Sequence, residues 1–333
     1  MELSRSTVEP SLASLRALLP EEIGEQLGAV EKTLVGVAEG APRPLAAPVH
    51  EVLTSGGKRL RPLLMILSAN MGEPDREALV SAAAAVEVLH TATLIHDDVV
   101  DRAESRRGRP TTVAAYGREV AVATGDYLFA ESFARLADIG DPRIVRVFAE
   151  AARDLASGEL EQFRASGDEV GIEEYLRHIR MKTAGLFKAA CVAGGTLGGL
   201  SIRRIDALAT YGQSLGVAFQ MSDDVMDFVG EPGVMGKGAG SDLAEGTITL
   251  PIILAMQEGN AGLIRKVLRT PRPEKALLEA GIEAVLETRA IAGTEERARK
   301  EIETALMELE LLPAGPERDV LHMIASEVVG RDA

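Results

Sequence analysis

The chain has 333 residues and a net charge of −15, with 51 acidic against 36 basic side chains, so it lacks the broad positive surface that sequence-independent nucleic-acid binding needs. One cysteine, Cys191, excludes an internal disulfide and a multi-cysteine zinc site and fits a reducing compartment. No signal peptide is read at the N-terminus and every long apolar run is broken by Arg, Glu, Asp or Gly, so the expectation is a cytoplasmic protein with no integral membrane segment.

Ala and Leu abound, aromatics make up 3% of the chain and Trp is absent, which favours helices over β-sandwiches and barrels. Apolar spacing predicts a helix over 12–38, interrupted near Pro20. APRPLAAP at 41–48 reads as a connector or the start of the next helix. GGKRLRP at 56–62 is a basic, glycine-led turn, and the apolar helix after it stops at Gly72 and Pro74. One long helix is expected over 76–103, a loop at 107–111, one or two helices over 112–138, and another over 143–165 after the Asp141–Pro142 turn. A helix opening at GDEVGIEEY should run to about 200, and the next from about 202 to 229. The segment 230–247, with six glycines, is the clearest long loop; helices resume at Pro251 with breaks at 270–273 and 312–316. No solenoid repeat is found, and the expectation is a single all-α domain over 1–333 with its motifs between about 51 and 255.

Two segments of the form D-D-x-x-D carry the chemistry: Asp97, Asp98 and Asp101 in HDDVVD, and Asp223, Asp224 and Asp227 in SDDVMDF. On a helix the first and third aspartates lie one turn apart on one face, where like charges repel. In so acidic a chain one copy reads as an ordinary solvated helix end, but two copies, each following an apolar stretch, call for a cation. Oxygen-only donors suit Mg²⁺, which bridges a few carboxylates to phosphate and keeps several waters. Basic residues stand close by in sequence: Lys58, Arg59 and Arg61; Arg106, Arg107 and Arg109; Lys182 beside Thr183; and Lys237. Surface ion pairing is the plain explanation for them, yet a diphosphate held between magnesium and Arg or Lys accounts for more. His90 lies two turns before Asp97 on the same face, either as a core histidine or as a ligand-facing one.

Taken together, GGKRLRP, HTATLIHDDVVDRAESRRGRPT, KTAGL, FQMSDDVMDF and GKGAGSDLAEG with TLP resemble the trans-type polyprenyl diphosphate synthases, in that family's order and at similar intervals. The resemblance implies a large antiparallel helical bundle with a deep central cavity, forming a homodimer. It implies Mg²⁺, three per site, with Asp97, Asp101 and Asp223 as ligands and Asp98, Asp224 and Asp227 in support. It assigns Lys58, Arg61, His90 and Arg107 to the diphosphate of isopentenyl diphosphate. Arg106, Lys182, Thr183, Gln220 and Lys237 would line the allylic site. Many members carry E-G-K before T-x-x-P, whereas this chain reads Glu245, Gly246, Thr247, one cation fewer.

The implied reaction ionises an allylic diphosphate, attacks the cation with the double bond of isopentenyl diphosphate and loses a proton, for which the released diphosphate is the expected acceptor. Product length should depend on room below the first motif. Ala92 and Thr93 are small where short-chain members place aromatics, and Phe129 and Phe133 are either a deeper floor or ordinary core rings. The expected product is therefore medium or long, octaprenyl-like, released through transient membrane contact. A short-chain farnesyl or geranylgeranyl synthase is the alternative. A terpene cyclase or head-to-head synthase needs no GGKRLRP turn, a non-catalytic subunit of a heteromeric synthase would have eroded aspartates, and a structural helical protein would leave the paired carboxylates unexplained.

Overall fold

Long apolar stretches punctuated by glycine and proline fold into consecutive helices, and the computed structural model describes residues 19–106, 108–164, 170–230 and 239–329 of them. Helices α1 (Glu21–Glu39), α2 (Ala46–Thr54), α3 (Leu60–Asn70) and α4 (Arg76–Asp101) come first. A small hairpin, β1 (Ser105–Arg106) with β2 (Arg109–Pro110), leads to α5 (Thr112–Tyr116) and α6 (Arg118–Asp138). Next come α7 (Pro142–Arg164), α8 (Ile172–Ile179), a π-helical stretch at Arg180–Ala184, α9 (Gly185–Leu197) and α10 (Ile202–Val229). The rest comprises α11 (Ser241–Glu245), α12 (Leu250–Ala255), a second π stretch at Met256–Asn260, α13 (Ala261–Leu268), α14 (Lys275–Leu286), α15 (Ala290–Leu309) and α16 (Pro316–Val329). The expected all-α fold is observed, but a π stretch divides the helix expected to open at GDEVGIEEY and run to about 200, breaks at 256–260 and 287–289 were not foreseen, and α11 forms inside the segment expected to be loop.

The helices that carry the aspartates each have a long buried face. Asp75 caps α4, its carboxylate accepting from the Ala78 N–H at 2.8 Å, and Ala82, Ala83, Ala84 and Ala85 are fully buried along its middle. Neighbouring helices form a continuous file, α6–α4–α3–α9–α10–α15. The α3–α9 crossing depends on missing side chains: a Cβ on Gly194 would stand 2.3 Å from the Met65 carbonyl oxygen, and one on Gly198 2.4 Å from that of Ala69. A smaller apolar cluster, including Phe228, Leu243, Ile252 and Val267, anchors α11–α14 against the end of α10.

Contrary to the sequence expectation, α4 is long and apolar enough by length and composition to cross a bilayer. Its charged residues fall outside, or are too few within, the most apolar window. That window has a mean hydropathy of 1.7 and is 67% buried inside the protein, so its apolar surface is largely used by helix packing.

Arg59 binds the first elements together. Its backbone sits in the left-handed region (φ 49°) just before α3, and its side chain is 4% exposed. The guanidinium donates to Glu31 at 2.9 and 3.2 Å, to Glu87 at 2.9 Å and to the Leu53 carbonyl at 2.8 Å, joining α1, α2 and α4. Burial opposes its charge, but Glu31 and Glu87 outweigh burial and raise its pKa. Arg59 is therefore the structural member of the GGKRLRP turn. Arg59→Ala strands Glu87, itself 7% exposed, and is expected to cost about 3–5 kcal/mol. Urea unfolding at neutral pH would show the loss as a lower midpoint with an unchanged slope.

Candidate functional site

The first aspartate cluster occupies the last turns of α4, and the second lies near the end of α10. Asp98 is buried and paired with Arg106, whose Nε and Nη2 reach the same carboxylate oxygen at 3.0 and 2.9 Å. Asp97 and Asp101 stay within electrostatic reach of each other, of Lys182 and of Glu159. Burial is the largest influence on Asp97; Lys182 and Arg106 oppose it, Glu159 and Asp101 reinforce it, and the carboxyl is pushed up to about 7. Asp101 is also shifted upward by burial, against Lys182, with Glu159 and Glu245 adding to the shift.

Lys182 and Thr183 sit on the π stretch, where one extra residue per turn changes the direction of the side chains. The stretch lies tight against α10, since a Cβ on Gly216 would stand 2.6 Å from the Ala184 Cα. Lys182 Nζ lies 2.6 Å from a Glu159 carboxylate oxygen. Thr183 donates to Gln220 at 2.7 Å, and Gln220 donates to Asp224 at 2.9 Å. Tyr175 of α8 donates its hydroxyl to the other Asp224 oxygen at 2.6 Å. Burial lifts the Asp224 carboxyl to about 7, although both hydrogen bonds work to lower it and Asp223 adds to the rise.

Asp227 has a separate role. Its carboxylate accepts from the Ser241 N–H (3.1 Å), the Ser241 hydroxyl (2.6 Å) and the Asp242 N–H (3.1 Å), fixing the first turn of α11 from another helix. That short helix ends at Glu245, which is felt by Asp101, so it spans from one cluster towards the other. At the expected Lys position, the Thr247 N–H donates to the Asp242 carbonyl at 2.8 Å.

Among the basic residues, Lys58 is exposed, and the Arg61 guanidinium lies 4.6 Å above the Phe187 ring, which meets Phe219 at 5.5 Å. Phe219 directly precedes Gln220, so the GGKRLRP turn connects through two aromatics to the helix of the second cluster. His90 is half-buried. Arg107 and Lys237 lie outside the described residues. Ala92 is fully buried and Thr93 8% exposed, its hydroxyl donating to the His90 carbonyl at 2.8 Å. Phe129 and Phe133 meet at 5.0 Å, but Phe129 is 37% exposed on the surface of this chain, with Phe133 half-buried beneath it. A surface cavity of about 670 Å³ is lined by Glu173, Glu174 and Arg177 of α8 and by Arg180 and Met181 of the π stretch.

These donors fit Mg²⁺. All are oxygens, and Asp97 faces burial and the like charges of Glu159 and Asp101 as well as Lys182 and Arg106, so a cation there would offset both costs. Among the described residues no three metal-binding side chains converge closely enough to enclose an ion. A cation completed by waters and phosphate oxygens suits that arrangement better than an all-protein cage.

Sequence reasoning missed Tyr175 and Glu159. A buried tyrosine requires an acceptor, and Tyr175 stands two helical turns before Lys182; that was a usable signal. Nothing in the sequence marked Glu159 among the many acids of its helix.

The sequence profile of the polyprenyl synthetase family matches residues 42–285. The chain is 36% identical over 313 residues to heptaprenyl diphosphate synthase component 2 of Geobacillus stearothermophilus, covering 93% of this chain and 97% of that protein. It is 37% identical to octaprenyl diphosphate synthase of Escherichia coli (strain K12), covering 85% and 88% respectively. A crystal structure of a polyprenyl synthase from Caulobacter crescentus CB15, complexed with calcium and isoprenyl diphosphate, superimposes with a TM-score of 0.85 at 31% identity, over 98% of this chain and 99% of that one.

Tyr175→Phe removes one of the two side-chain donors to the buried Asp224 and is expected to cost about 1–3 kcal/mol. The lost bond favours the ionised carboxylate, and Asp224 ionises at about 7 in the folded chain, so the loss should be larger at pH 9 than at pH 5.5. Denaturant unfolding at the two pH values checks both the size and the sign.

Proposed function

The chain belongs to the polyprenyl synthetase family, and on that premise we propose that it condenses isopentenyl diphosphate head-to-tail onto an allylic prenyl diphosphate, giving a medium- or long-chain all-trans polyprenyl diphosphate. The observation that carries this reading is the shared π stretch: Lys182 acts on Asp97 and Asp101, while its neighbour Thr183 reaches Asp224 through Gln220. One short segment thus relates both aspartate clusters, as a single diphosphate site requires.

In this reading Asp97, Asp101 and Asp223 hold Mg²⁺, three ions in all, and the bound metal supplies positive charge to the departing diphosphate. Calcium and isoprenyl diphosphate in the Caulobacter relative support a divalent cation and a substrate of this chemistry. Lys182, with Arg106, Thr183, Gln220 and Lys237, orients the allylic diphosphate so that its negative charge grows against fixed donors. Lys58, Arg61, His90 and Arg107 hold isopentenyl diphosphate alongside, making the attack effectively unimolecular. The apolar packing of α3, α4, α9 and α10 below the site keeps water from the allylic cation. Asp98 and Asp227 are already engaged, by Arg106 and by α11, and serve to shape the site. No described side chain offers itself as the base, so the released diphosphate takes the proton.

The product leaves through transient membrane contact, and the enzyme works as a homodimer in the cytoplasm, where the lone thiol of Cys191 stays reduced. The name of the Geobacillus relative supports a second reading, in which this chain acts with a different subunit. Turnover that requires a second, added protein would favour that reading.

The test is a Mg²⁺-dependent assay of the purified chain alone, with labelled isopentenyl diphosphate, several allylic primers and chromatographic sizing of products. Long all-trans products are expected. Thr93→Phe adds a ring one helical turn below Asp97, where the growing tail would pass, and should shorten the product by several isoprene units while the first condensation persists. Unchanged lengths in the active variant would remove the tail from this face of α4.

A further inference from the structure

We propose that Glu159 is the resident counter-anion of Lys182, holding the place at the ammonium that a diphosphate takes on binding, and is a positioning residue for the reaction; this rests on the function proposed above. Lys182 Nζ and the Glu159 carboxylate are 2.6 Å apart, with the side chains 29% and 14% exposed. The contacting carboxylate oxygen is buried and has no hydrogen bond of good geometry among the described residues, so charge rather than a directional bond holds the pair. A lysine stem is flexible and its ammonium is a point charge, so exchange of one oxyanion for another needs no movement of the π stretch.

The surrounding charges give the pair its function. Lys182 favours, and Glu159 disfavours, the ionised forms of both Asp97 and Asp101. While paired, the two side chains largely cancel, and Arg106 is already engaged by Asp98. An entering diphosphate must therefore win Lys182 from Glu159 and then face three carboxylates. A divalent cation at Asp97 and Asp101 reverses that balance, because the released Glu159 is then attracted towards it. Glu159 thereby opposes metal-free diphosphate and favours the metal-loaded ligand.

The probe is inorganic diphosphate, titrated calorimetrically into the full chain with chelator and with Mg²⁺. Glu159→Gln keeps the shape and removes the charge. It should tighten metal-free binding by about three- to tenfold, the scale of a partly exposed ion pair, and raise the Mg²⁺ concentration needed for half-maximal binding by a similar factor. Glu159→Asp, with the charge on a shorter stem, should fall between. In a Lys182→Gln background the metal-free gain should shrink, since only the direct repulsion between Glu159 and diphosphate is then left to remove. A merely structural role would weaken both modes together or leave both unchanged, and either result overturns the proposal. If the wild-type chain fails to bind diphosphate even with Mg²⁺, the proposed function fails instead.

Discussion

Ionised carboxylates on the last turns of two buried helices are the constraint to which the rest of this structure responds. Burial raises the cost of each charge, and neighbours of the same sign raise it further, as the upward shifts of Asp97, Asp101 and Asp224 show. A chain selected for stability alone would put neutral side chains there. This chain instead surrounds the clusters with groups that limit the repulsion without removing it: Arg106 on Asp98, Tyr175 and Gln220 on Asp224, and the first turn of α11 on Asp227. Asp97 and Asp101 still meet Glu159 as well as Lys182 and Arg106, so an external cation would relieve the remaining repulsion.

The scaffold explains how that charge is held in place. Glycines at the α3–α9 and α10–π crossings bring backbones into contact, so the π stretch cannot drift from α10. Arg59 fixes the basic turn to α1 and α4 from within the core, which leaves Lys58 exposed and Arg61 lying over Phe187. Positive and negative parts of the site are therefore set on separate elements held by packing, as preorganised electrostatic stabilisation demands.

Much of this was legible in the sequence where local signals were strong. The α10 boundaries at 202 and 229 match the expectation, and α4 starts as expected at residue 76 and ends two residues early. Both are long, periodic and bounded by a cap or a glycine, so local and tertiary preferences agree. The π stretch was not legible, because it packs through Ala184 against Gly216, far away in sequence. Helix α11 was read as loop: at five residues it is too short to form alone, and Asp227 organises its first turn from outside. Arg59 was indistinguishable from its basic neighbours, since composition does not reveal that its side chain turns inward. The family match independently agrees with the motif reading.

Ionising Asp97 costs the metal-free fold stability. Its folded carboxyl titrates at about 7 against an ordinary value of 3.8, so the cost is absent below the lower value, develops as pH rises between the two, and is complete above the upper. Thermal unfolding of wild type and Asp97→Asn, in chelator at pH 5 and pH 8.5, tests this directly. This cost predicts that Asp97→Asn melts higher than wild type at pH 8.5, that the advantage is cut by more than half at pH 5, and that added Mg²⁺ raises the wild-type melting temperature more than that of the variant. A variant that melts below wild type at pH 8.5, or an advantage of equal size at both pH values, would contradict it.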